Sequence, residues 1–357
     1  MEKLCVFCGE KPKSKTLEHV IPQWLINETG NPNRKVPFGV DIRTKKLRRF
    51  SFDQLRFPAC LNCNNMFSAL EKEARQVILA IINQGPIDAH SIEIMLTWLD
   101  KVRIGLWLGY FYLDKNIYGI IPNFHIINRI GNKDRMVLIY KADDALKGVG
   151  FIGVNTPLFG HFPSSFALCI NQLYFVNISA DFLLSRRLGL PFPAEKTLVD
   201  KKSTYMRIRT GLERVITPLL RVSYNRSCTE IYQPIIPREL FDWEELEIYK
   251  TPYVKKYPSS SRFGKILIKT DDRQLEEYPV VKSNIWIPDK TFSRSQLMFV
   301  VLKTVLTIQN YLLSLLPSLD GLDEAERAHQ KNAYDFARKY NNLLLKKAEK
   351  ELKGILN

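Results

Sequence analysis

Apolar and polar positions follow different rhythms along this chain, and the changes of rhythm mark its elements. The stretch 63–84, "CNNMFSALEKEARQVILAIINQ", repeats its apolar residues at helical spacing and is stopped by Gly85 and Pro86, which predicts an amphipathic helix. Residues 88–114, "DAHSIEIMLTWLDKVRIGLWLGYFYLD", mix spacings of three and four and are more apolar, as in a core helix. In "DRMVLIYKA", "GVGFIGVNTPLF" and "SSFALCINQLYFVNIS", β-branched and aromatic residues lie between glycine and proline turns and predict a sheet of several strands. From about 292 the pattern is helical again. "SRSQ" reads as a capping box before an apolar helix, and "DEAERAHQKNAYDFARKYNNLLLKKAEKELKGIL" reads as a long amphipathic one. The break at "PSLDG" makes the two a helical hairpin that packs on the rest of the chain or on a second copy. Segments after 195, such as "KKSTYMRIR" and "YVKKYPSSSRFGKILIK", fit helix, strand or loop equally.

The N-terminal stretch is different: Cys-rich, basic and turn-rich. "RKVPFGVDIRTKKLRRFSFDQLRF" has two extended, partly alternating runs around a polar turn at 43–46, which predicts a β-hairpin. Ahead of it, "LEHVIPQWL" places Glu18 and His19 inside an apolar run. An ionised carboxylate there costs several kcal/mol to bury unless it is paired or bound to a metal. With Gly85-Pro86 as the first boundary, the expected organisation is 1–85, an α+β domain over 86–290, and C-terminal helices over 291–357.

A chain of 357 residues has room for two or three domains, and with 45% hydrophobic and 25% charged residues it can fill ordinary cores. Its formal net charge of +15 predicts attraction to a polyanion, nucleic acid first and an anionic membrane surface second. The first residues lack the apolar core of a secretory signal, so the expected location is the cytoplasm. The apolar stretch 296–316 reaches membrane length, but it carries Lys303, Gln309 and Asn310 and reads as a buried or partner-facing helix, with no membrane span expected.

Four of the six cysteines form two pairs, Cys5 with Cys8 and Cys60 with Cys63, and in a reducing compartment that grouping argues for metal. Each Cys-x-x-Cys turn points two thiolates at one ion, and four of them complete a zinc tetrahedron with no open position, so this ion is structural. The clamp brings the Glu18-His19 strand beside Asn64 at a helix start. The Glu18 carboxylate and the Asn64 carbonyl then offer a second, oxygen-rich place for Mg²⁺ or Mn²⁺, and His19 beside it is able to accept a proton from water. Arg34, Lys35, Arg43, Lys45, Lys46, Arg48 and Arg49 would hold the rest of a bound polyanion. Glu71 shares a helix face with Asn64 but lies about 10.5 Å along the axis, too far to share its ion, and is expected to pair with a basic residue of the hairpin. Trp24, Phe67 and Cys169 read as core residues, and His90, His125, His161 and His329 as ordinary histidines.

Together "CVFCG", "LEHVIPQWL" and "CLNCNNMFSALE" resemble the HNH endonuclease family, the ββα-metal nucleases, in the version with a four-cysteine zinc knuckle, over roughly residues 1–75. The resemblance implies a small zinc-bound ββα-metal domain; with the patterns read above, the expected fold class is α+β, that domain being followed by a larger α+β domain with a C-terminal helical hairpin. It implies His19 as general base, Glu18 as first metal ligand where Asp is more usual, and Asn64 as the last ligand of the motif. The family's middle Asn has no clean match; by spacing, Asp53 or Gln54 would orient the base. The implied activity is divalent-metal-dependent hydrolysis of phosphodiester bonds, in DNA more than RNA, in the setting of phage defence or a mobile element. The rest of the chain would select substrate, sense a trigger or form a homodimer through the C-terminal helices. The rival reading is a non-catalytic zinc-knuckle protein that binds nucleic acid or serves as an adaptor, its Glu-His pair being structural.

Overall fold

The computed structural model describes residues 4–13, 16–40, 44, 46–51, 56–113, 126–200, 203–211, 228–236, 251–257, 261–270, 274–285, 287–288 and 292–356. Its first elements are β1 (Thr16–His19), α1 (Gln23–Glu28), β2 (Lys35–Val40), β3 (Leu47–Ser51), β4 (Arg56–Ala59) and α2 (Leu61–Ile82). Strand β1 pairs antiparallel with β4, Glu18 opposite Phe57 and His19 opposite Arg56. Between them β2 and β3 form the expected hairpin. Helix α2 begins at Leu61, two residues before the expected Cys63, because Cys60 is extended and its carbonyl accepts the Asn64 N–H at 2.9 Å. The chain turns out of α2 through Asn83 and Gln84, the latter at φ 56°.

Next come β5 (Pro86–Ile87), α3 (Ala89–Leu113), β6 (Asp134–Lys141), β7 (Val149–Ile152), α4 (Pro157–His161), β8 (Ser165–Ile170) and β9 (Leu173–Ala180). They are followed by α5 (Ser185–Leu188), β10 (Phe192–Leu198), β11 (Thr204–Arg209), β12 (Thr229–Gln233) and α6 (Pro252–Lys256). The last are β13 (Leu267–Lys269), β14 (Leu275–Glu277), β15 (Ser283–Asn284), α7 (Arg294–Ser314) and α8 (Glu324–Leu356). The fold class is α+β, built around a seven-stranded antiparallel sheet in the order β14-β13-β12-β6-β9-β8-β7.

Alternation along the central strands sorts side chains to two faces. Val137, Ile139, Leu168 and Phe175 join a buried cluster with α2 and α3, whereas Met136, Leu138, Tyr140 and Val176 join one with Val301, Val305 and Ile308 of α7. Both faces are therefore covered, which is why β6, β8 and β9 read as continuous apolar runs. The first cluster runs from Cys5 and Phe7 through Ile81, Ile87 and Trp98 to Phe175, on both sides of position 85. Ions and amides also hold α3 to the sheet: Arg103 donates to Asp100 and Asn177, Arg135 donates to Thr97 and Gln233, and all but the half-buried Thr97 are buried.

Helix α7 starts with the expected capping box, Ser293 with Gln296. Among the described residues it is the one helix long and apolar enough to cross a membrane, and its apolar face lies on the sheet. Helix α8 runs back antiparallel: Asn341 donates to Gln309 and Asn310, and Ala337 packs by Leu313. Phe336 and Leu343 of α8 stay exposed.

Candidate active site

Four sulfurs converge where β4 enters α2. The Sγ atoms of Cys5, Cys8, Cys60 and Cys63 all lie within 4.8 Å of one another. Cys60 Sγ is 3.8 Å from that of Cys5 and 3.9 Å from that of Cys8. Zinc–sulfur bonds of about 2.3 Å in a tetrahedron put neighbouring sulfurs about 3.8 Å apart. The spacing and donor chemistry thus fit a metal ion, consistent with a structural zinc. Burial pushes the Cys8 and Cys63 thiols up, while hydrogen bonding from Cys63 holds Cys60 down. The knuckle is tied to the fold on two sides: Val6 N–H donates to Pro58 O at 2.9 Å, and Ile126 N–H donates to Val6 O at 3.2 Å.

In β1 the alternation is the reverse of what hydrophobicity alone would choose. Leu17 is 53% exposed and Glu18 only 8%. Glu18 is buried because it has a partner: Lys101 of α3, itself 3% exposed, donates to both Glu18 Oε1 and Glu71 Oε1. The ammonium also lies 5.8 Å and 5.7 Å from the ring centroids of Phe7 and Phe67, which stack at 4.1 Å. Burial pushes the Glu18 carboxyl up from its ordinary value, Lys101 opposes the shift, and Glu71 adds to it. Glu71 therefore pairs with α3, not with the hairpin as expected: Lys101 gives it a desolvated partner that a solvated hairpin side chain cannot match.

His19 ends β1, half-buried, and by alternation points to the face opposite Glu18. Asn64 is the fourth residue of α2 and half-buried. As donors, the Glu18 carboxylate and the Asn64 amide carbonyl suit a hard cation.

Asp53, Gln54, Arg43 and Lys45 lie outside the described residues. Lys35, Lys46 and Arg49 are exposed, and Arg48 lies on β3. Arg34 has internal partners: its guanidinium donates to Ile26 O at 3.1 Å in the last turn of α1, to Asn31 O at 2.8 Å just after it, and to Thr29 Oγ1 at 2.6 Å. Trp24 and Phe67 are core residues as expected, Trp24 against Trp98. Lys101 escaped the sequence reading, although "WLDKVRIG" carries a signal: three ions, Asp100, Lys101 and Arg103, in a helix otherwise apolar enough to be buried must each have a partner.

Compared with protein-family models, curated proteins and solved structures, the chain matches none.

Proposed function

We propose that this protein is a divalent-metal-dependent nuclease of the ββα-metal type that hydrolyses phosphodiester bonds, with DNA as the favoured substrate. The observation that carries the reading is topological. The strand ending in His19 pairs with β4, and β4 leads straight into the thiol cluster and the helix bearing Asn64. That is the ββα order, closed by a four-cysteine clamp.

In this reading the His19 imidazole, which strand alternation starts on the face opposite Glu18, turns at the strand end toward the cation side and accepts the proton of the attacking water. A hard cation held by Glu18 and Asn64, when bound, supplies charge stabilisation for the phosphate and the leaving oxygen. Lys35, Lys46 and Arg49, exposed on or beside the hairpin, hold flanking phosphates. Lys101 fixes Glu18, and with it the strand carrying His19.

The test is nicking of supercoiled plasmid with Mg²⁺ or Mn²⁺. His19→Ala should lose about a hundredfold or more in rate while keeping its zinc and melting temperature. Equal cutting by the variant, or no cutting by zinc-loaded wild type on DNA or RNA, would sink the proposal. One observation favours a second reading, a non-catalytic nucleic-acid-binding or adaptor protein. The Lys101 pair already accounts for a buried Glu18 without any catalytic metal. Binding of DNA without cleavage in the same assay would select it.

A further inference from the structure

Away from the knuckle, α3, the turn Ile127–Arg129, the end of α4 and the start of β8 and end of β9 enclose a cavity of about 340 Å³. Its lining includes Arg103, Arg129, Lys133, His161, Asn128 and Ser179, and among the described residues that line it none is acidic. Arg103 is 2% exposed. One of its nitrogens donates to Asp100, at 2.7 Å, and to Asn177, but its Nε is buried with no hydrogen-bond partner. That N–H is walled off from the cavity, so Arg103 contributes positive charge beside a ligand and not a hydrogen bond from Nε.

Behind the cavity the charges largely balance: Asp100 lies between two guanidiniums, bonded to Arg103 through Oδ1 and 3.9 Å from Arg135 through Oδ2, and Glu93 adds a second carboxylate near Arg135. Among the described residues the positive surplus at the cavity comes from Arg129. Lys133 has Asp181 at 2.6 Å, an exposed pair that solvent screens. Arg129 stacks its guanidinium 4.9 Å from the centroid of Trp107, which orients the group without occupying its N–H donors. Burial lowers its affinity for its proton, a penalty that a bound anion would relieve.

The geometry points to a binding site for a small phosphate-bearing anion, of the size of a nucleoside monophosphate. Guanidiniums fit phosphate oxygens in pairs, hydroxyl and amide groups complete the shell, and the volume exceeds what inorganic phosphate alone would fill. The site is independent of the nuclease reading, because it uses none of the residues around His19.

The experiment is calorimetric titration of the full-length, zinc-loaded protein with inorganic phosphate and with adenosine monophosphate at constant ionic strength. Binding of the nucleotide below about 1 mM is expected, weakened about tenfold or more in Arg129→Gln, with the ligand-free melting temperature unchanged. Should Arg129→Gln fail to fold, Lys133→Gln on the exposed rim carries the same test with a smaller loss. Weaker binding of phosphate than of nucleotide supports a ligand that fills the cavity. No heat with either compound up to about 10 mM, or equal affinity in both variants, overturns the site. Displacement of the nucleotide by a short DNA duplex also overturns it, making the cavity part of a nucleic-acid track.

Discussion

Lys101 concentrates the electrostatics of the N-terminal region in one atom. Its ammonium is the shared partner of two carboxylates that come from different elements, β1 and α2. Removing the charge would leave Glu18 and Glu71 facing each other in a desolvated space. Lys101→Met is accordingly expected to destabilise the protein by about 3–5 kcal/mol, read from urea denaturation. The combined change with Glu18→Gln and Glu71→Gln should recover much of that loss. A loss below about 1 kcal/mol for the single variant, the range of an exposed pair, would mean that water reaches the site. At this scale Glu18 was legible as a residue in need of a partner, but the partner was not, since it lies 83 positions along the chain on another helix. Arg34 makes a related point: a basic residue beside basic neighbours reads as a phosphate contact, and nothing in the sequence shows that carbonyls at the end of α1 also take its donors.

Among elements, the knuckle is the joint on which the rest turns. It fixes β4 and the first turn of α2 together, so a ligand lost there should be felt along the helix. Cys60→Ser is expected to abolish metal binding at the cluster and lower helical content. Metal analysis and circular dichroism give the two readouts, and a variant that stays folded and metal-free would refute the clamp. Elements with a clear period or end signal were readable from the pattern: the hairpin β2–β3, helix α2 and the capped start of α7 all lie where those signals put them. The order of the seven strands was not readable. Helices cover both faces of the sheet, so its central strands have no polar side to mark orientation, and nothing local says that β6 sits between β12 and β9.

For the molecule as a whole, the knuckle and the sheet share one buried cluster. Phe7 and Phe67 belong to the same apolar body as Trp98 and Phe175. The Gly85-Pro86 stop ends a helix, while the packing continues across it. A fragment of residues 1–85 lacks both the Lys101 ammonium and the α3 face on which α2 packs. Even with zinc it is expected to show poor amide dispersion in NMR spectra, whereas a fragment extended through α3 and the sheet should regain it. A well-dispersed, cooperatively melting 1–85 fragment would show that the knuckle is self-sufficient.

The inverted burial of β1 bears on how that strand holds its register. Sliding β1 by one residue against β4 would bury Leu17 and release Glu18 to water, an arrangement that hydrophobicity prefers. What opposes the slipped pairing is a charge on α3, 83 positions along the chain, together with the Thr16 hydroxyl, which donates to Ala59 O at 2.5 Å. The strand ending in His19 thus owes part of its alignment to a helix outside the pair, and removing the ammonium from α3 is expected to loosen the register of β1 without touching either strand.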